Sequence, residues 1–126
     1  MYSVLINNKG DSFYSVEADG YKISIDAAEK GIKPLSALLA SLGACIGVYI
    51  NKYVKGMGKK LDNLVIRVDA EFSAEKPVYF KKIDVSVELN DSTIEQNRIE
   101  AMKRFIHNCP AHLSLENRTE IEVRIK

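Results

Sequence analysis

One apolar segment constrains the fold of this chain more than any other feature. It runs from Pro34 to Val54 and reads PLSALLASLGACIGVYINKYV. Proline suits the first turn of a helix because its missing N–H would have no partner there. Gly56 and Gly58 follow the segment and provide the flexible or left-handed exit at which helices commonly end. The sequence therefore predicts one long helix from Pro34 to about Lys55, with Cys45 near its middle.

Length and charge limit the classes of protein to consider. The chain has 126 residues, which predicts a single domain over residues 1–126, and its 18 Lys+Arg nearly balance its 17 Asp+Glu. Neither sign forms a long run, so no partner among nucleic acids or anionic membranes is expected. Polar side chains interrupt the apolar segment: Ser36, Ser41, Asn51 and Lys52. With no signal-peptide pattern at the start, we expect a soluble, cytoplasmic protein without a membrane span.

Segments of alternating apolar and polar residues flank the helix. Alternation of this kind predicts strands with one buried face. The predicted strands lie within residues 2–26 as a three-stranded meander, at 64–72 and 83–89 as a pair, and at 119–126 as a closing strand. A second helix is predicted after the capping-box pattern Ser92-Thr93-Ile94-Glu95, with a stripe of Ile99, Met102, Phe105, Ile106 and Cys109. Antiparallel strands with two amphipathic helices predict an α+β fold.

The long helix is apolar on nearly every side. Bulky residues such as Leu38 and Leu42 occupy one side, and small residues such as Ala40, Gly43 and Gly47 occupy the other. Small residues at this spacing allow a second backbone to approach closely. A single sheet covers only one side of such a helix, so we expect a second helix and a second subunit to cover the rest, which predicts a homodimer.

Cys45 and Cys109 are the only cysteines. Two thiols in a chain of this size do not form a disulfide scaffold, and any pairing in a reducing cytosol is expected to be reversible and chemical. Pro110 favours a helix start at Cys109, where a helix N-terminus would favour the thiolate. Cys45 lies between Gly43 and Gly47, which would leave room for a substrate near its sulfur. The alternative is that both cysteines are small apolar fillers.

A metal site is a further alternative. His107, Cys109 and His112 form an H-x-C-x-x-H pattern that could supply three ligands to zinc or another transition metal, with Cys45 as a fourth. The spacing is not a common metal-binding one and Pro110 turns the chain within it. The sequence therefore favours no metal site and no cofactor.

The order of these features is specific. Pro34 opens an apolar helix that contains Leu42-Gly43-Ala44-Cys45, a glycine-rich exit and two alternating strands follow, and a second helix ends in Cys109-Pro110-Ala111-His112. With these motifs the chain resembles the OsmC/Ohr family, the osmotically inducible and organic hydroperoxide resistance proteins. The resemblance runs from about Pro34 to the C-terminus, and the preceding meander fits it as well.

The resemblance implies antiparallel sheets wrapped around two long helices in an intertwined homodimer. It implies a cysteine-based peroxidase site near the subunit interface, with Cys45 as the peroxidatic cysteine and Cys109 as the resolving one. The substrate would be an organic hydroperoxide and the reductant an external dithiol. The alternative is a non-enzymatic protein of the same fold that binds a small apolar ligand at the dimer interface.

The chain departs from the family pattern in two places. Family peroxidases carry an acidic residue just after the helix-opening proline, where this chain has Leu35 and Ser36. They also hold the thiolate with an arginine from the N-terminal region, whereas the first arginine here is Arg67, in a predicted strand. An enzyme of this sequence would lack the usual arginine and glutamate partners of its cysteine. Other cations remain as candidates: Lys33, Lys52 and Arg118.

Overall fold

The computed structural model describes residues 2–61, 63–89 and 94–126. Its elements, in chain order, are β1 (Leu5–Asn8), β2 (Phe13–Ala18), β3 (Tyr21–Asp26), α1 (Pro34–Gly56), β4 (Leu64–Phe72), β5 (Phe80–Leu89), α2 (Gln96–Ile106), α3 (Pro110–Leu113) and a π-helical turn (Ser114–Arg118). The chain divides into two compact units, Met1–Ala40 and Ser41–Lys126, and α1 runs from the first into the second.

The first unit contains the predicted meander. Strands β1, β2 and β3 form an antiparallel sheet in that order, with Ile6 opposite Val16 and Val16 opposite Ile23. Asp19 and Gly20 form the tight turn between β2 and β3, with φ of 53° and 81°. Positive φ at both central residues matches the right-handed twist of the flanking strands, which explains why an Asp-Gly pair stands there.

Helix α1 begins at Pro34, as predicted. Its C-terminus is closed by the Gly58 N–H, which donates to the Lys55 carbonyl (3.0 Å), and Gly58 has a φ of 74°. The helix is long and apolar enough to pass a length and composition test for a membrane span, a test that the core helix of a soluble protein also passes. Its buried residues lie on one face: Leu42, Gly43, Ile46, Gly47, Ile50 and Val54. Val48, on another face, is half exposed.

The hydrophobic core of the second unit lies between α1, the β4–β5 pair and α2. Its buried side chains are Leu42, Ile46, Ile50, Val54, Ile94, Met102 and Cys109. Strands β4 and β5 pair antiparallel, with Ile66 opposite Val87 and Val68 opposite Val85. Their inward residues are partly buried against this core and their outward residues are exposed, which is the alternation that predicted them.

Gly43 and Gly47 let β4 come close to α1. A Cβ at Gly43 would lie 3.0 Å from Val68 Cγ2, and a Cβ at Gly47 would lie 3.0 Å from Ile66 Cδ1. Close approach was expected from the small residues, but the neighbour is a strand of the same chain. Strand side chains therefore fill the space beside these two glycines, and room for a substrate next to the Cys45 sulfur itself stays a prediction.

Helix α2 ends three residues before Cys109, and α3 begins at Pro110. Glu95 caps α2 without a side-chain hydrogen bond. The predicted capping box also involves Ser92 and Thr93, which lie outside the described residues. The predicted stripe is confirmed on α2, where Met102 is buried and its helical neighbours on that face are partly buried.

The predicted closing strand is not formed. Residues 119–126 have no strand pairing, and the side chains of Ile121, Val123 and Ile125 are 83%, 79% and 94% exposed. Alternation predicts that one face of a segment will be covered, but a strand also needs a partner edge for its backbone hydrogen bonds. The described part of this chain offers none to the segment.

These elements confirm an α+β fold with antiparallel strands and helices. The assignment of residues 1–126 to one domain stays a prediction.

Candidate functional site

The fold of the second unit brings the two cysteines together. Cys45 lies on α1 and is partly exposed, whereas Cys109 lies at the N-cap of α3 and is fully buried. The two thiols are joined by a side-chain hydrogen bond, and no disulfide links them. Cys45 also packs against the hydrophobic core to which Cys109 belongs. The chain therefore presents a dithiol with one accessible and one buried sulfur.

The local backbone explains where the Cys109 sulfur lies. The Cys109 N–H donates to the Ile106 carbonyl (2.9 Å), which closes α2, and the Leu113 N–H donates to the Cys109 carbonyl (3.0 Å), which opens α3. Pro110 makes this change of direction possible, because proline disfavours helical geometry at the residue before it and fits the first position of a helix. One dipeptide thus ends one helix, begins the next and fixes the thiol between them.

Burial raises the pKa of the Cys109 thiol, and the hydrogen bond to Cys45 raises it further. The backbone N–H groups of His112 and Ala111 act in the opposite direction, because they donate to the sulfur from the first turn of α3. The predicted influence of the helix N-terminus is thus present, but burial and the contact with Cys45 outweigh it, and the pKa of Cys109 is raised overall.

Aromatic rings of α1 and α2 lie in the same part of the core as the two thiols. The Phe105 ring lies 5.6 Å from that of Tyr49 and 5.7 Å from that of Tyr53, and both tyrosines pack against the core cluster. Tilted rings at such distances stabilise the contact between two helices. They hold α2, and hence the turn that carries Cys109, against the helix that carries Cys45.

Two of the cations considered from the sequence have other neighbours. Arg67 donates from Nε to Asp69 Oδ2 at 2.9 Å on the exposed face of β4. Lys52 Nζ lies 4.9 Å from the centre of the Tyr49 ring, a cation–π contact on α1. The structure therefore accounts for both charges without the thiol pair.

An open apolar cavity of about 640 Å³ lies in the same unit. Its apolar wall includes Leu42, Ile46, Ile50, Ile83, Val85, Val87, Leu89, Ile99, Met102 and Ile106. Neither cysteine lines it. The volume lies within the ordinary range for small-molecule sites, about 300–1,000 Å³. The cavity is a second candidate site, separate from the dithiol.

A cluster of possible metal ligands lies at the polar edge of this cavity. It consists of His107, His112 and Glu116, whose nearest ligand atoms all lie within 4.8 Å of one another. The sequence pattern had grouped the two histidines with Cys109 instead. The Cys109 thiol is hydrogen-bonded to Cys45, so it does not complete the set of metal ligands that the H-x-C-x-x-H pattern suggested.

A sequence model of the OsmC-like proteins matches residues 27–124. The chain belongs to the OsmC-like protein family. The match covers both cysteines and all of α1, and the β1–β2 hairpin precedes it.

Relatives of this OsmC-like chain agree with the assignment. A Mycoplasma genitalium protein named hydroperoxide reductase is 25% identical over 131 residues, which cover 98% of this chain and 93% of that protein. The crystal structure of an OsmC-like protein from Mycoplasma pneumoniae superposes with a TM-score of 0.82 at 25% identity, over 94% of this chain and 89% of the other. An organic hydroperoxide resistance protein from Legionella pneumophila shares the fold with a TM-score of 0.64 at 19% identity, over 93% and 91% of the two chains.

Sequence reasoning missed Glu116 and the cavity. Glu116 stands four residues after His112, a spacing that places two side chains on the same side of a helix and could have identified the pair. The cavity left no comparable signal, because its lining comes from α1, β5, α2 and the segment after α2, which only the fold brings together.

Proposed function

We propose that this OsmC-like protein is a thiol-dependent peroxidase that reduces organic hydroperoxides through Cys45 and Cys109. The hydrogen-bonded dithiol is the observation that carries the proposal: one sulfur is accessible, and the other is buried next to it. The name of the Mycoplasma genitalium relative supports a hydroperoxide substrate.

The partly exposed Cys45 is the attacking group in this proposal. Its thiolate attacks one oxygen of the peroxide, the O–O bond breaks, and the leaving alkoxide takes up a proton as the alcohol. Cys45 is oxidised to a sulfenic acid and the peroxide is reduced.

Cys109 then resolves the sulfenic acid. Its sulfur attacks the Cys45 sulfur, an S–S bond forms, and the sulfenic oxygen leaves as water with the Cys109 proton. An external dithiol reduces the disulfide by two successive exchanges, which return both thiols and leave the donor as its own disulfide. The contact between the two reduced thiols supports this step, because little movement is needed for the sulfurs to bond.

The surroundings of Cys45 favour an organic hydroperoxide over hydrogen peroxide. Of its helical neighbours, Val48 is half exposed and Tyr49 is partly buried, so both present apolar or aromatic surface to solvent. The transfer of an alkyl or aryl group from water to such a surface is favourable, and hydrogen peroxide has no apolar group to transfer. We propose this preference as the basis of substrate selection.

We also propose that the protein acts as a cytoplasmic homodimer. Apolar side chains exposed in the single chain support the dimer: Val48 on α1, Val65 on β4, and Ile121, Val123 and Ile125 near the C-terminus. We propose that the second subunit covers these side chains, because a large exposed apolar area is typical of interaction sites.

The decisive experiment is stoichiometric oxidation of the reduced protein by cumene hydroperoxide. We expect both thiols to disappear and intact mass analysis to show one intramolecular Cys45–Cys109 disulfide. Cys109→Ser should accumulate a Cys45 sulfenic acid that dimedone traps, and Cys45→Ser should keep its remaining thiol. Survival of both wild-type thiols in excess peroxide would overturn the peroxidase proposal.

The cavity favours a second candidate function, the binding of a small apolar ligand. An apolar fluorescent probe such as anilinonaphthalene sulfonate tests it. Val85→Trp, which adds bulk inside the cavity, should reduce the fluorescence gain, whereas Val78→Trp, on an exposed position, should not. Equal fluorescence from both folded variants would exclude the cavity as the binding site.

A further inference from the structure

We propose that His107, His112 and Glu116 form a binding site for a divalent transition-metal ion of the zinc type. The two imidazole rings lie 5.1 Å apart, and His112 Nε2 lies 2.7 Å from Glu116 Oε1. One nitrogen or oxygen from each of the three residues lies within 4.8 Å of the others. Two imidazoles and one carboxylate are a donor set that zinc accepts in sites with an open fourth position.

The same turn that positions Cys109 builds this cluster. His107 is the C-cap of α2 and His112 lies on α3, so the break at Pro110 folds one histidine back towards the other. In the π-helical turn, Glu116 and Asn117 leave helical geometry, and Asn117 has a φ of 62°. Here the irregular turn holds the Glu116 carboxylate against His112.

The distances require only a small adjustment to accommodate the ion. Two ligands about 2.0–2.1 Å from a tetrahedral zinc lie roughly 3.3 Å apart. The distance between His112 Nε2 and Glu116 Oε1 would increase by about 0.6 Å from its present 2.7 Å. The ligand atom of His107, which lies within 4.8 Å of the other two, would move closer to them. His107 and Glu116 are exposed and His112 is partly exposed, so their side chains have room to move.

The contact between His112 and Glu116 is compatible with exchange of a hydrogen for a metal. The short contact between His112 Nε2 and the Glu116 carboxylate needs a hydrogen on the nitrogen. A divalent ion that takes the place of this hydrogen binds both atoms at once, and a neutral imidazole then carries its one hydrogen on Nδ1.

Three lysines line the same cavity and oppose a cation. Lys81 is paired with Glu71 at 3.1 Å and Lys103 lies 3.5 Å from Glu100, which offsets part of their charge, and Lys82 is the third. The Cys109 thiol lies near this cluster in sequence, but its sulfur is buried and hydrogen-bonded to Cys45. We therefore expect a nitrogen and oxygen site of micromolar rather than picomolar affinity, without thiolate ligands.

Cobalt(II) is the probe that separates this site from the dithiol. Tag-free, chelator-treated Cys45→Ser/Cys109→Ser protein is titrated with cobalt(II) and, in parallel, with zinc(II) by calorimetry. We expect one ion per chain and visible d–d absorption without a thiolate-to-cobalt band. His112→Ala and Glu116→Gln in this background should each weaken affinity about tenfold or more.

The matched control is Glu122→Gln, which removes an exposed carboxylate outside the cluster and should leave affinity unchanged. Circular dichroism checks that each variant is folded, and His107→Ala provides a second imidazole deletion if His112→Ala is not. The proposal is overturned if the double-serine protein binds no metal or if its affinity is the same in all the folded ligand variants. The peroxidase proposal is unaffected by either result, since its thiols are absent from this protein.

Discussion

The Cys109 thiol, buried at the start of α3, is hydrogen-bonded to the partly exposed Cys45 thiol of α1. This relationship makes the two neighbouring sulfurs chemically unequal. Burial and the bond itself raise the pKa of Cys109. Cys45 is the accessible sulfur of the pair, which is why the proposed function assigns the first attack to it.

The first prediction concerns alkylation. In the reduced protein, iodoacetamide should modify Cys45 faster than Cys109 from about pH 6 to about pH 9, because the thiolate is the reactive form and the raised pKa of Cys109 keeps it protonated. Mass spectrometry of peptides after brief exposure measures both rates. The alkylation rate of Cys109 should begin to rise only at a pH higher than that at which an ordinary thiol ionises. Faster modification of Cys109 at neutral pH would contradict the protection of this thiol by its burial and raised pKa.

The second prediction concerns Gly43, where the missing side chain lets β4 pack closely against α1. Gly43→Ala should lower the free energy of unfolding by about 1–2 kcal/mol, because the overpacking against Val68 outweighs the gain in helix propensity. Gly56→Ala is the matched control, since a Cβ there would meet nothing within 4 Å. It should be neutral or slightly stabilising. Urea denaturation at fixed protein concentration measures both, and equal effects would mean that Val68 moves aside freely.

Much of the fold follows from local sequence. The alternation of Leu64 to Phe72 predicted β4 with its correct inward face, and Pro34 marked the start of α1, because period and proline geometry act over a few residues. The contact between Cys45 and Cys109 could not be derived in this way. It depends on how α2 packs against α1, and the family resemblance rather than spacing indicated it.

Two errors have a common physical origin. Gly43 predicted that another segment would approach α1 closely. The alternation of Ile121 and Val123 predicted that another surface would cover one face of the C-terminal segment. A sequence pattern specifies that a surface needs cover without specifying the partner. For Gly43 the neighbour is Val68 of β4. For the C-terminal segment, the described residues supply no strand.

The third prediction concerns the buried Asp26 at the end of β3. Its carboxylate accepts from the N–H groups of Ala28 (2.7 Å) and Lys30 (3.1 Å). The bond from Ala28, followed by that from the Ser12 side chain, lowers the pKa of Asp26 below its ordinary value. A lowered pKa stabilises the fold above the pKa of the unfolded state, about 3.9, and this contribution is lost as pH falls through the folded-state value.

Asp26→Asn should therefore lower the free energy of unfolding at neutral pH, because one oxygen acceptor becomes an N–H₂ donor facing a backbone N–H. The difference from wild type should shrink in strong acid, where Asp26 is protonated. Glu29→Gln is the control, since it neutralises an exposed carboxylate of the same loop and should have little effect. Denaturation at a series of pH values tests this, and a difference that grows with acidity would refute the assigned direction.

The last prediction tests whether a second copy covers the C-terminal segment. If residues 119–126 form a strand only in the homodimer, the alternation places Ile121, Val123 and Ile125 on its buried face and Glu122 on the opposite one. Val123→Lys should then shift the protein towards monomer in sedimentation equilibrium, because the charge would lose its hydration at the interface. Glu122→Lys puts the same side chain one residue away and breaks only an exposed contact with Arg124 at 3.3 Å, so it should leave the dimer intact. A dimer that tolerates both lysines would show that this segment is not part of the interface, and a wild-type monomer would overturn the dimer proposal itself.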